Sequence, residues 1–366
     1  MLWDVFCTVI DNFGDIGVCW RLSRNLAARG QQVRLWVDDA TALAWMASGA
    51  TAGGPVAVGA WHDAQACVPG DVVVEAFGCE LPAAFVQAMA RCPAPPAWIN
   101  LEYLTAEPYA ARCHRLPSPV LSGPGQGLTK HFFYPGFTAG TGGLLREPDL
   151  LQRQAGFDRA PWLASLGLSS DVQPNDTVVT LFCYEPAALP GLLAHLQAQA
   201  ALGPGRTHLL VTPGRATQAV RSEISGLLTS NQLSANDSLL SISYLSALSQ
   251  DDFDHLLWAS DLNFVRGEDS LVRALWAGKP LVWQIYPQSD DAHHAKLQAF
   301  LDTLDASPVL RQWHQAWNGN DAAPLPGLDG LLADRSVALA RDQLLSQDDL
   351  AHQLQTFVAR HGTARP

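Results

Sequence analysis

Short apolar runs alternate with segments of helical spacing twice over along this chain, and that rhythm constrains its fold more than any other feature. Residues 2–10 (LWDVFCTVI) form the first run, residues 16–29 carry apolar positions three and four apart, and Gly30 stands where a helix C-cap is expected. Residues 33–37, 72–77 (VVVEAF) and 98–101 (WINL) read as further strands, with a helix over 81–91 between the last two. Strand, helix, strand in this order means parallel pairing with right-handed crossovers.

Residues 118–174 break the rhythm with dense Pro and Gly, as in SPVLSGPGQGL and TAGTGGLLREPDLL, and read as a linker holding a helix or two. The rhythm then resumes with strand candidates at 177–184 (TVVTLFCY), 208–212 (HLLVT), 239–243, 262–265 (LNFV) and 280–285 (PLVWQI), each followed by a helix. A length of 366 residues suits about two domains. The expected fold is α/β, with two Rossmann-like doubly wound parallel-sheet domains facing a cleft. They cover residues 1–150 and 151–366, with a C-terminal helix free to pack back on the first. Ligands of such sheets bind at the carboxyl ends of the strands.

Charge and cysteine content narrow the function classes. The net charge is −12, from 23 Lys and Arg against 35 Asp and Glu, which argues against nucleic acid or an anionic membrane surface as the main partner. No apolar run reaches the roughly 18 residues of a spanning helix, and Asp4 within the first run argues against a signal peptide. The seven cysteines form no Cys-x-x-Cys pair, so free thiols and a cytoplasmic location are expected, with Cys7 and Cys19 as ordinary core residues.

No P-loop, dinucleotide fingerprint, nucleophile elbow or His-Glu-x-x-His motif is present. The glycines at 123–127 (GPGQG) follow no strand and read as a structural loop. Asp252-Phe253-Asp254 matches a metal-binding Asp-x-Asp in form, but its helix-like setting reads as a solvated helix start.

Three segments at strand ends carry the chemistry. In Asp11-Asn12-Phe13-Gly14-Asp15-Ile16-Gly17, two carboxylates flank a turn after the first strand, and Gly14 and Gly17 admit close approach of another molecule. Local features alone leave this open, because Asp15 as an N-cap and Asp11 in an Asx turn would look the same. In Arg266-Gly267-Glu268-Asp269-Ser270, a charged turn leads from strand to helix, so helix N–H groups, Arg266 and Ser270 can hold a diphosphate. Phe182 and Tyr184, in FCYEP, can stack on a base or sugar, and Gln284, in QIYPQ, can line the same cleft.

The order strand, acidic turn, helix, Gly-x-Pro, strand, polar loop resembles the donor-binding half of GT-B glycosyltransferases, which need no metal. DNFGDIGVCWRLSRNLA, FCYE, RGEDSLVRALWAGKP and QIYPQ together resemble the EarP family of arginine rhamnosyltransferases, which modify bacterial elongation factor P. The resemblance implies inverting transfer of L-rhamnose from dTDP-β-L-rhamnose, as co-substrate and without a cofactor, to an arginine of elongation factor P. It places the acceptor on the amino-terminal half and the nucleotide on the carboxyl-terminal half. It implies catalytic roles for Asp11, Asp15 and Glu268, and nucleotide contacts for Phe182, Tyr184, Phe253, Arg266, Asp269 and Ser270; Gly14 and Gln284 are added as donor-side candidates.

A protonated guanidinium is a poor nucleophile, so a carboxylate must orient it and accept a proton as the C–N bond forms. Asp15 is the expected base, with Asp11 or Glu268 holding the guanidinium. Two other readings compete. One is a GT-B transferase or epimerase with a small or lipid-linked acceptor, and the other is a protein that binds nucleotide sugar or elongation factor without turnover.

Overall fold

The computed structural model describes the whole chain except residues 10–12, 48–53, 169–171, 174, 203–204, 230–239, 288–291, 320–323 and 362–366, and the side chains of 202, 226–229 and 361. It divides into two compact units, Met1–Leu150 with Leu345–Pro366, and Leu151–Leu344. Residues Leu345–Pro366 group with the first unit, and the sequence left the C-terminal helix free to do so. The reason lies in the helix Leu350–His361, whose Leu350, Ala351, Leu354, Phe357 and Val358 form one apolar face. That face enters the same core as Trp3, Val5 and Trp20.

The first unit is built on strands β1 (Leu2–Cys7), β2 (Gln32–Val37), β3 (Val56–Ala60), β4 (Val72–Ala76), β5 (Ala97–Leu101), β6 (Pro117–Pro119) and β7 (Thr129–Phe133). Their order across the sheet is β3-β2-β1-β4-β5-β7-β6, parallel except for β6 against β7. Alternate side chains of β1 supply two cores: Trp3, Val5 and Cys7 on one face, and Phe6, with Trp36, Val73 and Phe85, on the other. Asp4, on the Phe6 face and fully buried, accepts from Arg34 Nε (2.6 Å) and Nη2 (2.8 Å), Trp36 Nε1 (2.8 Å) and the Gly70 N–H (2.7 Å).

The linker expected over 118–174 is only partly one. Residues Thr129–Phe133 form a sheet strand beside β5, and the GPGQG segment is the loop of the β6–β7 hairpin. Two helices, Leu150–Ala155 and Arg159–Ser165, follow.

The second unit contains β8 (Thr177–Leu181), β9 (Thr207–Val211), β10 (Leu240–Tyr244), β11 (Leu262–Arg266) and β12 (Leu281–Gln284), all parallel, in the order β10-β9-β8-β11-β12. Val178, Val179, Leu209, Leu210, Phe264, Val265, Leu281 and Val282 are all fully buried, as a sheet covered on both faces requires. Strand β12 is an edge, and the helix Pro308–Trp317 closes it. The Trp283 N–H donates to His314 Nε2 (3.0 Å), the Ile285 N–H to Asn318 Oδ1 (2.9 Å), and Asn318 Nδ2 to the Trp283 carbonyl (2.9 Å).

No helix among the described residues is long and apolar enough to cross a membrane. All seven cysteines are free, with Cys7 and Cys19 buried.

Two polar groups in the second unit generate stability predictions. Asp254 and Arg273 are almost wholly buried and doubly bonded (2.8 and 2.6 Å). Asp254→Ala leaves Arg273 buried without its carboxylate, and chemical denaturation is expected to show a loss of about 3–5 kcal/mol. The double replacement Asp254→Leu with Arg273→Met is expected to recover most of that loss. Burial pushes His314 down to about 4 from its usual 6.5. The unfolded chain therefore takes up that proton first: the stability His314 supports is complete above pH 6.5 and is lost as the pH falls through 4. Denaturation at a series of pH values is expected to show a slope of about 1.4 kcal/mol per pH unit in that window, and His314→Gln is expected to flatten it.

Candidate active site

In the second sheet the strand order reverses between β8 and β11, and open α/β sheets present ligand sites at that point. The FCYE and RGEDS segments singled out in the sequence emerge there, with Gln284 on the next strand. Past the end of β8 the pairing continues through the Phe182 N–H to the Phe264 carbonyl (2.9 Å). The chain then turns, and the Tyr184 N–H donates to Gln284 Oε1 (2.7 Å). Gln284, on β12, is only 8% exposed, so it fixes the Tyr184 turn from across β11 more than it lines an open surface.

Arg266, the last residue of β11, lies against two aromatic rings. Its guanidinium carbon is 4.6 Å from the Phe182 ring centre and 4.5 Å from that of Tyr184. Phe253, on the helix Gln250–Ala259, meets Phe182 edge-on at 5.5 Å, and Tyr286 meets Tyr184 edge-on at 5.6 Å. Burial lowers the Arg266 pKa from its usual value, with the Tyr184 charge opposing and that of Arg215 adding. Arg266 Nη1 is buried with no hydrogen-bond partner among the described residues. A guanidinium nitrogen held dry and unpartnered is suited to an arriving anion.

Gly267, at φ 71°, is the cap of the helix Glu268–Ala277, a backbone conformation that a side chain would strain. Trp283 Nε1 holds its carbonyl at 3.0 Å. Glu268 and Asp269 form the first turn, both half-buried, and Lys296 Nζ donates to Glu268 Oε1 at 2.5 Å. Ser270 is buried, and its hydroxyl donates to the Arg266 carbonyl, so a bond to phosphate would require it to turn. The Asp252-Phe253-Asp254 segment is a helix start: Ser249 caps it, its hydroxyl also bonding Asp252 (2.7 Å), and Asp254 is held by Arg273. No group of three or more metal-ligating side chains is arranged to hold an ion among the described residues.

In the first unit, Asp15 follows β1, the strand at which that sheet's order reverses. The helix Gly14–Ala28 is capped by Phe13 without a side-chain bond, so Asp15 is its second residue and not its N-cap. Asp15 is half-buried above Cys19, whose thiol pKa is raised chiefly by Cys7 and burial, with the Asp15 charge adding. Gly14 is exposed, and a Cβ placed on it would meet nothing within 4 Å. Asp11 lies outside the described residues, as does Gln288 of the QIYPQ segment.

Sequence reasoning missed Lys296 and Arg215. Arg215 follows a Pro-Gly turn after β9, a strand-turn-helix signal like that of Arg266-Gly267. Lys296 carried no signal, since only the packing of the helix Ala292–Thr303 brings it to Glu268.

The family model described as elongation factor P (EF-P) rhamnosyltransferase EarP matches residues 3–359. Protein-arginine rhamnosyltransferase of Pseudomonas putida is 46% identical over 341 residues, covering 86% of each chain, and that of Pseudomonas aeruginosa is 43% identical over 387, covering 98% of each. A solved structure described as "Structural basis for EarP-mediated arginine glycosylation of translation elongation factor EF-P" is 32% identical, with a TM-score of 0.63 over 98% of this chain and 99% of that one. The calicheamicin glycosyltransferase CalG4 shares only the fold, at 13% identity and a TM-score of 0.52 over 99% of each chain. With two parallel α/β sheets of GT-B type and a match over nearly its whole length, the chain belongs to the EarP family of elongation factor P rhamnosyltransferases.

Proposed function

We propose that the protein transfers L-rhamnose from dTDP-β-L-rhamnose to a guanidinium nitrogen of one arginine of elongation factor P, inverting the anomeric carbon. Membership of the family supports the arginine acceptor and the rhamnosyl group. The thymidine nucleotide and the inversion are carried over from the resemblance. The observation that carries the donor half is the buried Arg266 Nη1, against Phe182 and Tyr184 and with no hydrogen-bond partner among the described residues, at the reversal point of the second sheet.

In this reading the second unit binds the donor. Phe182, Phe253 and Tyr184 supply ring faces for the base, while Arg266 and the first-turn N–H groups of the helix Glu268–Ala277 take the diphosphate. Asp269 and Ser270 complete that turn, and Ser270 exchanges its bond to the Arg266 carbonyl for one to phosphate. The first unit binds the acceptor protein. Asp15 accepts the guanidinium proton as nitrogen attacks the anomeric carbon and the C–O bond to the diphosphate breaks. Asp11 or Glu268 holds the guanidinium by charge-assisted bonds, and Lys296 orients Glu268 through its bond to Oε1. One displacement gives one inversion without a covalent intermediate. Charge building on the diphosphate is met by Arg266 and the helix N–H groups. With a net charge of −12, recognition of the acceptor depends on local complementarity.

Single-turnover glycosylation of elongation factor P, read as a mass increase of one deoxyhexose, tests the base. Asp15→Asn is expected to keep its melting temperature and its dTDP affinity and to lose about 10²- to 10⁴-fold in rate. Wild-type turnover by that variant would remove Asp15 from the role. Transfer is also expected to persist in EDTA; loss of activity restored by magnesium or manganese would show that protein groups alone do not carry the diphosphate.

A further inference from the structure

The turn after β8 contains a charged pair that the proposed reaction leaves without a role. Glu185 follows Tyr184 and is gripped by both arms of Arg215, with Nε donating to Oε1 at 2.8 Å and Nη2 donating to Oε2. Arg215 opens the helix Arg215–Thr229 after β9, the strand beside β8. Its guanidinium carbon lies 4.7 Å from the Tyr184 ring centre, and that of Arg266 lies 4.5 Å from the same centre. Two cations thus share one ring. The charge of Arg215 lowers the Arg266 pKa, while Glu185 is held below the usual carboxylate range, first by its bond to Arg215 and further by the charges of both arginines.

Glu185 and Arg215 are both exposed at the surface, their side chains 52% and 41% accessible, and an exposed pair contributes little to stability. A planar fork that fits a carboxylate also fits a phosphate. The second cation therefore lies against the same ring as Arg266, whose Nη1 has no hydrogen-bond partner among the described residues, with its own donors already set in the geometry of an oxyanion.

We infer that Arg215 is a second cation of the nucleoside-diphosphate site and that Glu185 is its placeholder. Without donor, the Glu185 carboxylate occupies the fork. An arriving diphosphate displaces it, one phosphate taking Arg215 and the other Arg266, and Glu185 is released to water. The exchange makes and breaks only hydrogen bonds. It rests on the reading of the second unit as the donor unit and adds to it a reason for preferring a diphosphate over a nucleoside.

Titration calorimetry on the full chain with dTDP and with thymidine as probes separates the two ideas. Wild type is expected to bind dTDP more tightly than thymidine. Arg215→Ala is expected to weaken dTDP by about 10-fold or more and to leave thymidine unchanged. Arg215→Lys, which keeps the charge and loses the fork, should fall between. Glu185→Gln, which removes the competitor, should tighten dTDP several-fold, an outcome that a purely structural pair does not produce. Unchanged dTDP affinity in Arg215→Ala, an equal loss for both probes, or weaker dTDP binding in Glu185→Gln would overturn the inference and leave the donor reading standing. A wild type with no preference for dTDP over thymidine would overturn both.

Discussion

Parallel strands covered on both faces leave a protein very little freedom over where its chemistry can go. Peptide groups along each strand are spent on the neighbouring strand, and the side chains enter apolar layers. A polar group inside such a layer must be fully partnered. Asp4 meets that demand with four donors from β2 and the turn before β4. Glu75, on β4, meets it with Trp98 Nε1 (3.0 Å) and Lys130 Nζ (2.5 Å), although burial still raises its pKa. Polar side chains outside those layers therefore collect at strand ends, which is where Asp15, Tyr184 and Arg266 are found.

What holds those ends in place comes from further off than the turns themselves. The Tyr184 turn depends on Gln284 from β12, and β12 as an edge strand depends on His314 and Asn318. Gly267 is secured by Trp283 from the same strand. Each such bond contributes about 1 kcal/mol net, but a buried N–H left without its acceptor costs about 1–3 kcal/mol. The aromatic and arginine cluster is thus only as rigid as the edge strand beside it, and the neutral state of His314 bears on the site as well as on the fold.

Much of the strand pattern was legible because it is local. Apolar runs such as VVVEAF and LNFV are continuous in the chain and state their burial directly. By contrast β7, with Thr, Lys and His in TKHFF, is exposed at its start and only partly buried along most of its length. Nothing in its own residues says strand, and it becomes one by pairing with β5 and β6. The helix Leu350–His361 was readable as a helix, but its unit was settled by the apolar face it shares with Trp3 and Trp20.

The order of amino acids by itself determined the two parallel sheets and the strand-turn-helix positions of Asp15, Phe182, Tyr184, Arg266 and Glu268, since a turn's chemistry is written in consecutive residues. Only the tertiary structure decided which charges meet. Lys296 reaches Glu268, Arg215 reaches Glu185, Arg273 closes on Asp254, and Arg266 keeps a buried Nη1 with no hydrogen-bond partner among the described residues. Those pairings join residues far apart in the chain, and their strength depends on distance and burial, which no local pattern records.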